Sequence, residues 1–80
     1  MDTAVIQFRM EDKKKEVDLE VPLDITAQEF LLALNECYHL GMDTNQPENL
    51  YMRMEYPIAL LMGTRTLKKY GVRTGTIVYS

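Results

Sequence analysis

The chain has 80 residues, room for one small domain and not for a second. Nine Lys and Arg against twelve Asp and Glu leave a formal net charge of −3 and a pI near 5.0, a sign that repels phosphate and argues against nucleic acid as a partner. Hydrophobic residues at 46% and charged residues at 26% describe a globular chain, able to build one thin core that buries roughly 60% of its unfolded surface, and exclude a large enzyme with separate cofactor and substrate domains.

The single cysteine, Cys37, excludes an internal disulfide and a zinc site built on paired cysteines. The core must hold the fold unaided, which suits a reducing cytoplasm. No stretch approaches the ~20 apolar residues of a membrane helix. The opening Met1-Asp2-Thr3-Ala4 lacks a basic n-region and an apolar h-region, so no secretory signal is expected. Any work at a membrane would be by recruitment through a partner, without direct insertion.

From Thr3 to Met10 the chain alternates. Ala4, Ile6, Phe8 and Met10 fall on one side and Val5, Gln7 and Arg9 on the other, the period of a half-buried strand. Glu11-Asp12-Lys13-Lys14-Lys15 interrupts with charge. Alternation resumes with Val17, Leu19 and Val21 against Glu16, Asp18 and Glu20, which predicts a β-hairpin. Pro22 has no N–H for a ladder and should end the second strand.

A helix signal follows. Thr26 and Glu29 have the T-x-x-E spacing of a capping box, and Ile25 can staple onto Phe30 or a neighbour. Ala27, Phe30, Leu31, Leu34, Cys37 and Tyr38 recur at the spacing of one helical face. That places Cys37 as a small core residue and His39 on the polar face, and Gly41 is expected to end the helix near Leu40.

Met42 to Asn49 reads as a polar loop. Leu50 to Glu55 alternates again, with Leu50, Met52 and Met54 on the core face. Tyr56-Pro57 is a turn, Ile58 to Met62 a short apolar strand broken by Gly63. Leu67, Tyr70 and Val72 should anchor a loop, Gly71 and Gly75 mark turns, and Thr76 to Ser80 is β-prone. Neither a lone helix nor a lone sheet can cover its own apolar face. The economical packing lays the helix across one face of a mixed sheet. A helical crossover is expected to bring the third strand in parallel to the first, and the last strand can then enter the middle. The expected class is α+β, a β-grasp of five strands in the order 2-1-5-3-4 with one main helix, over residues 1–80.

This order of elements resembles ubiquitin. The run Leu67-Lys68-Lys69-Tyr70-Gly71-Val72-Arg73-Thr74-Gly75-Thr76-Ile77-Val78 is similar to the ubiquitin-like stretch of leucine, two polar residues, tyrosine, a small residue, an aliphatic and a glycine turn into the last strand. Within that superfamily the chain looks most like the small bacterial EsaB/YukD proteins. The likeness rests on Val5-Ile6-Gln7-Phe8, Val17-Asp18-Leu19-Glu20-Val21-Pro22, the helix after Ile25-Thr26 and the closing glycine turn. Asp43 to Met62 follows the family only loosely, and its usual final aliphatic pair is absent. The resemblance implies a stand-alone, non-enzymatic accessory protein of the type VII (WXG100) secretion systems of Gram-positive bacteria. It would be cytoplasmic, with partners in the cytoplasmic parts of the secretion machinery and no cofactor. The rival readings are a generic β-grasp interaction module and a truncated modifier or sulfur carrier.

Conjugation and sulfur transfer need a flexible Gly-Gly tail that can thread an activating site. Here the last residues, Ile77-Val78-Tyr79-Ser80, are expected within a strand, so conjugation is not expected. No catalytic or metal site is expected either. Cys37 and His39 are two residues apart on one helix and do not face each other, and ligand spacing is absent. The Glu16, Asp18 and Glu20 stripe reads as solvated. Two surfaces remain as candidates for contact. Lys13, Lys14 and Lys15 form a hairpin tip, a plain solvated turn or a contact for an acidic partner or lipid headgroups, where three lysines supply at most about 3 kcal/mol. The sheet face opposite the helix carries Val5, Gln7, Tyr51, Arg53, Ile77 and Tyr79, with Ile77 and Tyr79 expected beside Tyr51 and Arg53 and with Val5 and Gln7 on the other flank. Tyr and Arg are the residue types that carry protein–protein hot spots.

Overall fold

The structure, a computed structural model, describes residues 2–80. Strands β1 (Thr3–Met10) and β2 (Lys15–Pro22) form the hairpin, in antiparallel register from Thr3 opposite Pro22 to Met10 opposite Lys15. Helix α1 spans Ala27–Tyr38, followed by a 3₁₀ turn at Pro47–Asn49. Strands β3 (Met52–Glu55), β4 (Ala59–Leu61) and β5 (Ile77–Tyr79) complete a five-stranded sheet in the order β2-β1-β5-β3-β4. This is the expected β-grasp.

One direction differs from expectation. The strand that runs parallel to β1 is β5, with Gln7 opposite Ile77. Strand β3 is antiparallel to β5 and so also to β1. The helical crossover leaves from β2, and a crossover preserves the direction of the strand it leaves. Since β2 is already antiparallel to β1, β3 must be as well.

Alternation on the strands decides what is buried. Ile6, Phe8 and Met10 of β1, Met52 and Met54 of β3, Leu61 of β4 and Val78 of β5 meet Ala27, Phe30, Leu31 and Leu34 of α1 in one core. Leu50, Leu67 and Val72 close it under the connecting loops. Thr76 is a fully buried polar side chain, and both its needs are met. Its hydroxyl donates to the Tyr56 carbonyl at 2.6 Å and accepts the Arg73 N–H at 3.0 Å. An unpaired hydroxyl there would cost about 1–3 kcal/mol.

The helix starts as expected and ends differently. The Thr26 hydroxyl accepts the Glu29 N–H at 3.1 Å, and the Glu29 carboxylate accepts the Thr26 N–H at 2.9 Å. Two N–H groups that the first turn leaves open are thereby satisfied. At the other end, His39 rather than Gly41 makes the first left-handed turn, at φ 53°. Asn35 gathers the exit: its carbonyl accepts from Leu40 N–H and its side-chain oxygen from Met42 N–H at 2.9 Å. Cys37 is exposed, not a core residue. In the last turn the buried stripe passes from Leu34 to Tyr38, whose ring tilts against Phe8 with centroids 5.4 Å apart. Cys37 lies about 100° around the helix from Tyr38 and clears the sheet.

Candidate interaction surface

Helix α1 covers one face of the sheet. The opposite face is built by the odd-numbered residues of β1, β3 and β5, and strand register sets them in rows. One row runs Glu16, Arg9, Tyr79, Arg53 and Leu60 across all five strands. The next runs Asp18, Gln7, Ile77 and Glu55. Cross-strand neighbours on one face stand close enough to interact, and these do.

Tyr79 sits at the centre. The Arg53 guanidinium lies over its ring at 4.9 Å from the centroid and that of Arg9 at 5.8 Å. Each such contact is worth about 0.5–1 kcal/mol at an exposed site. The Tyr79 hydroxyl donates to the Glu55 carboxylate. That hydrogen bond, with burial and the negative charge of Glu55, raises the Tyr79 pKa above its ordinary value against the opposing pull of the two arginines. The phenol is held as a neutral donor and cannot serve as a base.

Carboxylates steady both arginines from outside the pair. Arg53 Nη2 lies 3.0 Å from Glu11 Oε1, and Arg9 Nε donates to Gln7 Oε1 at 2.7 Å with Glu16 at 3.9 Å. Both ion pairs are solvent-exposed and contribute little to stability. What they do is fix the fans of the guanidiniums over the tyrosine. The result is a flat amphipathic face with its polar groups in defined places.

Of the residues expected on this face, Gln7, Arg53, Ile77 and Tyr79 come together. Val5 lies on the same face, 45% exposed, one step beyond the reach of β5. Its backbone is held instead by Thr74 and Gly75. Tyr51 is also exposed, but it precedes β3 and has no opposite residue on β5, so it does not flank Tyr79. The expected flank of Val5 and Gln7 is corrected to Gln7 and Arg9, because the Gln7 N–H takes the Thr76 carbonyl and the Ser80 N–H takes the Arg9 carbonyl. Arg9 and Glu55 are the residues that sequence reasoning missed. Alternation put Arg9 on the outer side of the first strand, but the register against β5 that makes it a neighbour of Tyr79 leaves no mark in the sequence.

The lysine tip is divided in its uses. Lys13 Nζ donates to the Tyr38 carbonyl at 2.9 Å, a cation at the helix C-terminus, which has no basic residue in its own last turn. Lys14 turns the chain at φ 51°, and Lys15 begins β2 opposite Met10. Among the described residues neither Lys14 nor Lys15 takes part in an ion pair.

Among the described residues no three His, Cys, Asp or Glu side chains converge as metal ligands, and no helix is long and apolar enough to cross a membrane. An open groove of about 690 Å³ lies at the end of the sheet, between Glu11, Asp12, Leu40, Met42, Leu50 and Tyr51.

The fold is shared with solved ubiquitin-like structures at low sequence identity. The ubiquitin-like domain of Plasmodium falciparum Dsk2 is 19% identical, with a TM-score of 0.64 over 98% of this chain and 97% of that one. The ubiquitin-like domain of yeast Ddi1 is 18% identical, with a TM-score of 0.68 over 96% and 85%. Trypanosoma brucei tubulin-binding cofactor B is 11% identical, with a TM-score of 0.71 over 98% and 92%. No curated protein matches the chain. A family model does, that of protein YukD of the WXG100 protein secretion system, over residues 5–79. The match includes the hairpin, the capped helix and the row through Tyr79, and the chain belongs to the YukD family.

Proposed function

We propose that this chain is a non-enzymatic, unconjugated docking module of a type VII (WXG100) secretion system, acting in the cytoplasm on cytoplasmic parts of the secretion machinery. The sheet face around Tyr79 is its docking surface, with Gln7, Arg9, Arg53, Glu55 and Ile77 at the centre and Val5 and Tyr51 at the margin. The observation that carries this reading is Tyr79 clamped between two guanidiniums on a sheet face that no element among the described residues covers. A preset Tyr–Arg cluster loses little side-chain entropy on binding and belongs to the residue types that dominate interfaces. Family membership supports the secretion role.

The unconjugated reading is supported by where the glycines are. Gly71 and Gly75 hold turns at φ 85° and 100°, and β5 is tied into the ladder on both sides. The test is in cells. Tyr51→Lys and Ile77→Lys should leave the circular dichroism spectrum and accumulation of the protein unchanged, yet abolish its co-purification with the membrane-bound secretion complex and reduce export of WXG100 substrates. Unchanged co-purification in both variants defeats the docking face. Adducts of higher mass on a denaturing immunoblot of the wild-type strain defeat the unconjugated reading.

A further inference from the structure

The sheet has two edges, and they are finished differently. Strand β2 presents exposed charge along its length, at Lys15, Glu16, Asp18 and Glu20. Such charges keep an edge from pairing with another strand. The β4 edge has no such guard. From Tyr56 to Thr64 there is no charged residue, and Ile58 is 86%, Leu60 44% and Met62 37% exposed.

The hydrogen-bond parity of the sheet says which groups of that edge are open. The Gln7 N–H donates to the Thr76 carbonyl and the Ser80 N–H to the Arg9 carbonyl. Even-numbered residues of β5 therefore bond to β1, and Ile77 and Tyr79 bond to β3 through Glu55 and Arg53. Met52 and Met54 are then left for β4, where they meet Leu61 and Ala59. Leu60 and Met62 must then point their N–H and C=O groups outward, and Ile58, in the turn just before β4, has no backbone hydrogen-bond partner among the described residues. Met62 confirms the parity independently: the Tyr70 hydroxyl donates to its carbonyl at 2.7 Å and accepts from its N–H at 3.3 Å. Tyr70 thus closes one end of the edge and the Tyr56-Pro57 turn the other. Between them lie the open backbone groups of two residues, Ile58 and Leu60.

We propose that a second copy of this chain occupies this slot, pairing β4 antiparallel with β4 about a two-fold axis through Ala59. In that register Ile58 of each copy faces Leu60 of the other, and the two pairs exchange four hydrogen bonds that use every open group and none that Tyr70 holds. On the sheet face Ile58 and Leu60 of both copies form one apolar quartet. Since no residue from Tyr56 to Thr64 is charged, the pairing sets no like charges against each other. The rival pairing of β2 with β2 would set Glu16, Asp18 and Glu20 against their own copies. The contact is short, below the ~1,200 Å² of stable complexes, so the dimer is a weak one, with Kd on the order of 10⁻⁴ M.

Sedimentation equilibrium of the full chain in reductant, from micromolar to millimolar concentration, reads the outcome. The mean mass should rise from 9.3 kDa toward twice that value. Leu60→Lys should weaken association about tenfold or more, whereas Asp18→Lys, on the other edge, should leave it unchanged. Both positions are exposed, and circular dichroism verifies folding. Register is read separately. Ala59 faces its own copy as a non-hydrogen-bonded pair, about 4.5 Å between Cα atoms and within disulfide reach. Ala59→Cys in a Cys37→Ser background should therefore oxidise to a covalent dimer. A monomer at all concentrations, including one whose β4 edge binds only a strand of another protein, overturns the proposal. So does a Leu60→Lys variant that associates like the wild type, or an Ala59→Cys variant that stays uncrosslinked.

Discussion

Tyr79 does two jobs at the residue scale. Its backbone belongs to the central strand, and its side chain organises the open face. The phenol donates to Glu55, and a raised pKa means that the folded state holds the proton more tightly than the unfolded one. That contribution is complete below the ordinary value of 10.0 and is lost as pH rises through the higher folded value. Lys68, raised by its hydrogen bond and charge contact with Asp2, adds to the loss on the same side. The acid side has the opposite sign. Hydrogen bonds from Thr26 lower the pKa of Glu29, and the hydrogen bond and charge of Lys68 lower that of Asp2. Their contributions are present above the ordinary values of 4.5 and 3.8 and disappear as pH falls through the lower folded ones. Urea midpoints measured against pH should therefore fall at both extremes. Tyr79→Phe should flatten the alkaline limb, Glu29→Gln the acid limb, and neither should alter the other's side.

At the scale of elements, α1 shows how far local rules reach. Its start is a sentence complete within four residues: Thr26 caps, Glu29 answers, and the apolar stripe begins at Ala27. Thr26→Ala should lower unfolding stability by about 1 kcal/mol, read from urea denaturation. Thr26→Ser, which keeps the hydroxyl, should lower it far less. The far end of the helix depends on distant residues. Lys13, brought over by the hairpin, bonds the Tyr38 carbonyl, and Asn35 closes the exit through its side chain. Gly41 is the residue with the obvious helix-stopping chemistry, yet His39 makes the turn. With His39 in the left-handed conformation and Asn35 bonding the Leu40 and Met42 N–H groups, the chain leaves the helix and brings Leu40 and Met42 back onto the core. Cys37, about 100° around the helix from Tyr38, stays in solvent.

For the whole molecule, β5 is the joint. It pairs with β1 on one side and β3 on the other, and among the described residues it is the only link in the ladder between the hairpin and the β3–β4 pair. Removing residues 77–80 should therefore leave two sheet fragments that cannot share a core, with loss of the cooperative urea transition and of near-ultraviolet dichroism. A sharp transition in the truncated chain would contradict this role.

Much of this molecule is legible in one dimension. Period-two runs named β1, β2 and the core side of each. The T-x-x-E spacing marked the start of α1, and Gly71 and Gly75 marked the turns that lead into the last strand. These features are local: each depends on residues within a few positions of one another, where backbone geometry alone connects pattern to structure. What stayed hidden is pairwise and long-range. Nothing in the spelling of Gln7 or Ile77 says that they stand opposite each other, yet that register, set by two backbone hydrogen bonds, puts Arg9 rather than Val5 beside Tyr79. The direction of β3, the helix cap supplied by Lys13 and the open pair of groups on β4 arise the same way, because they depend on which strands become neighbours, and that is settled only when the chain closes on a common core.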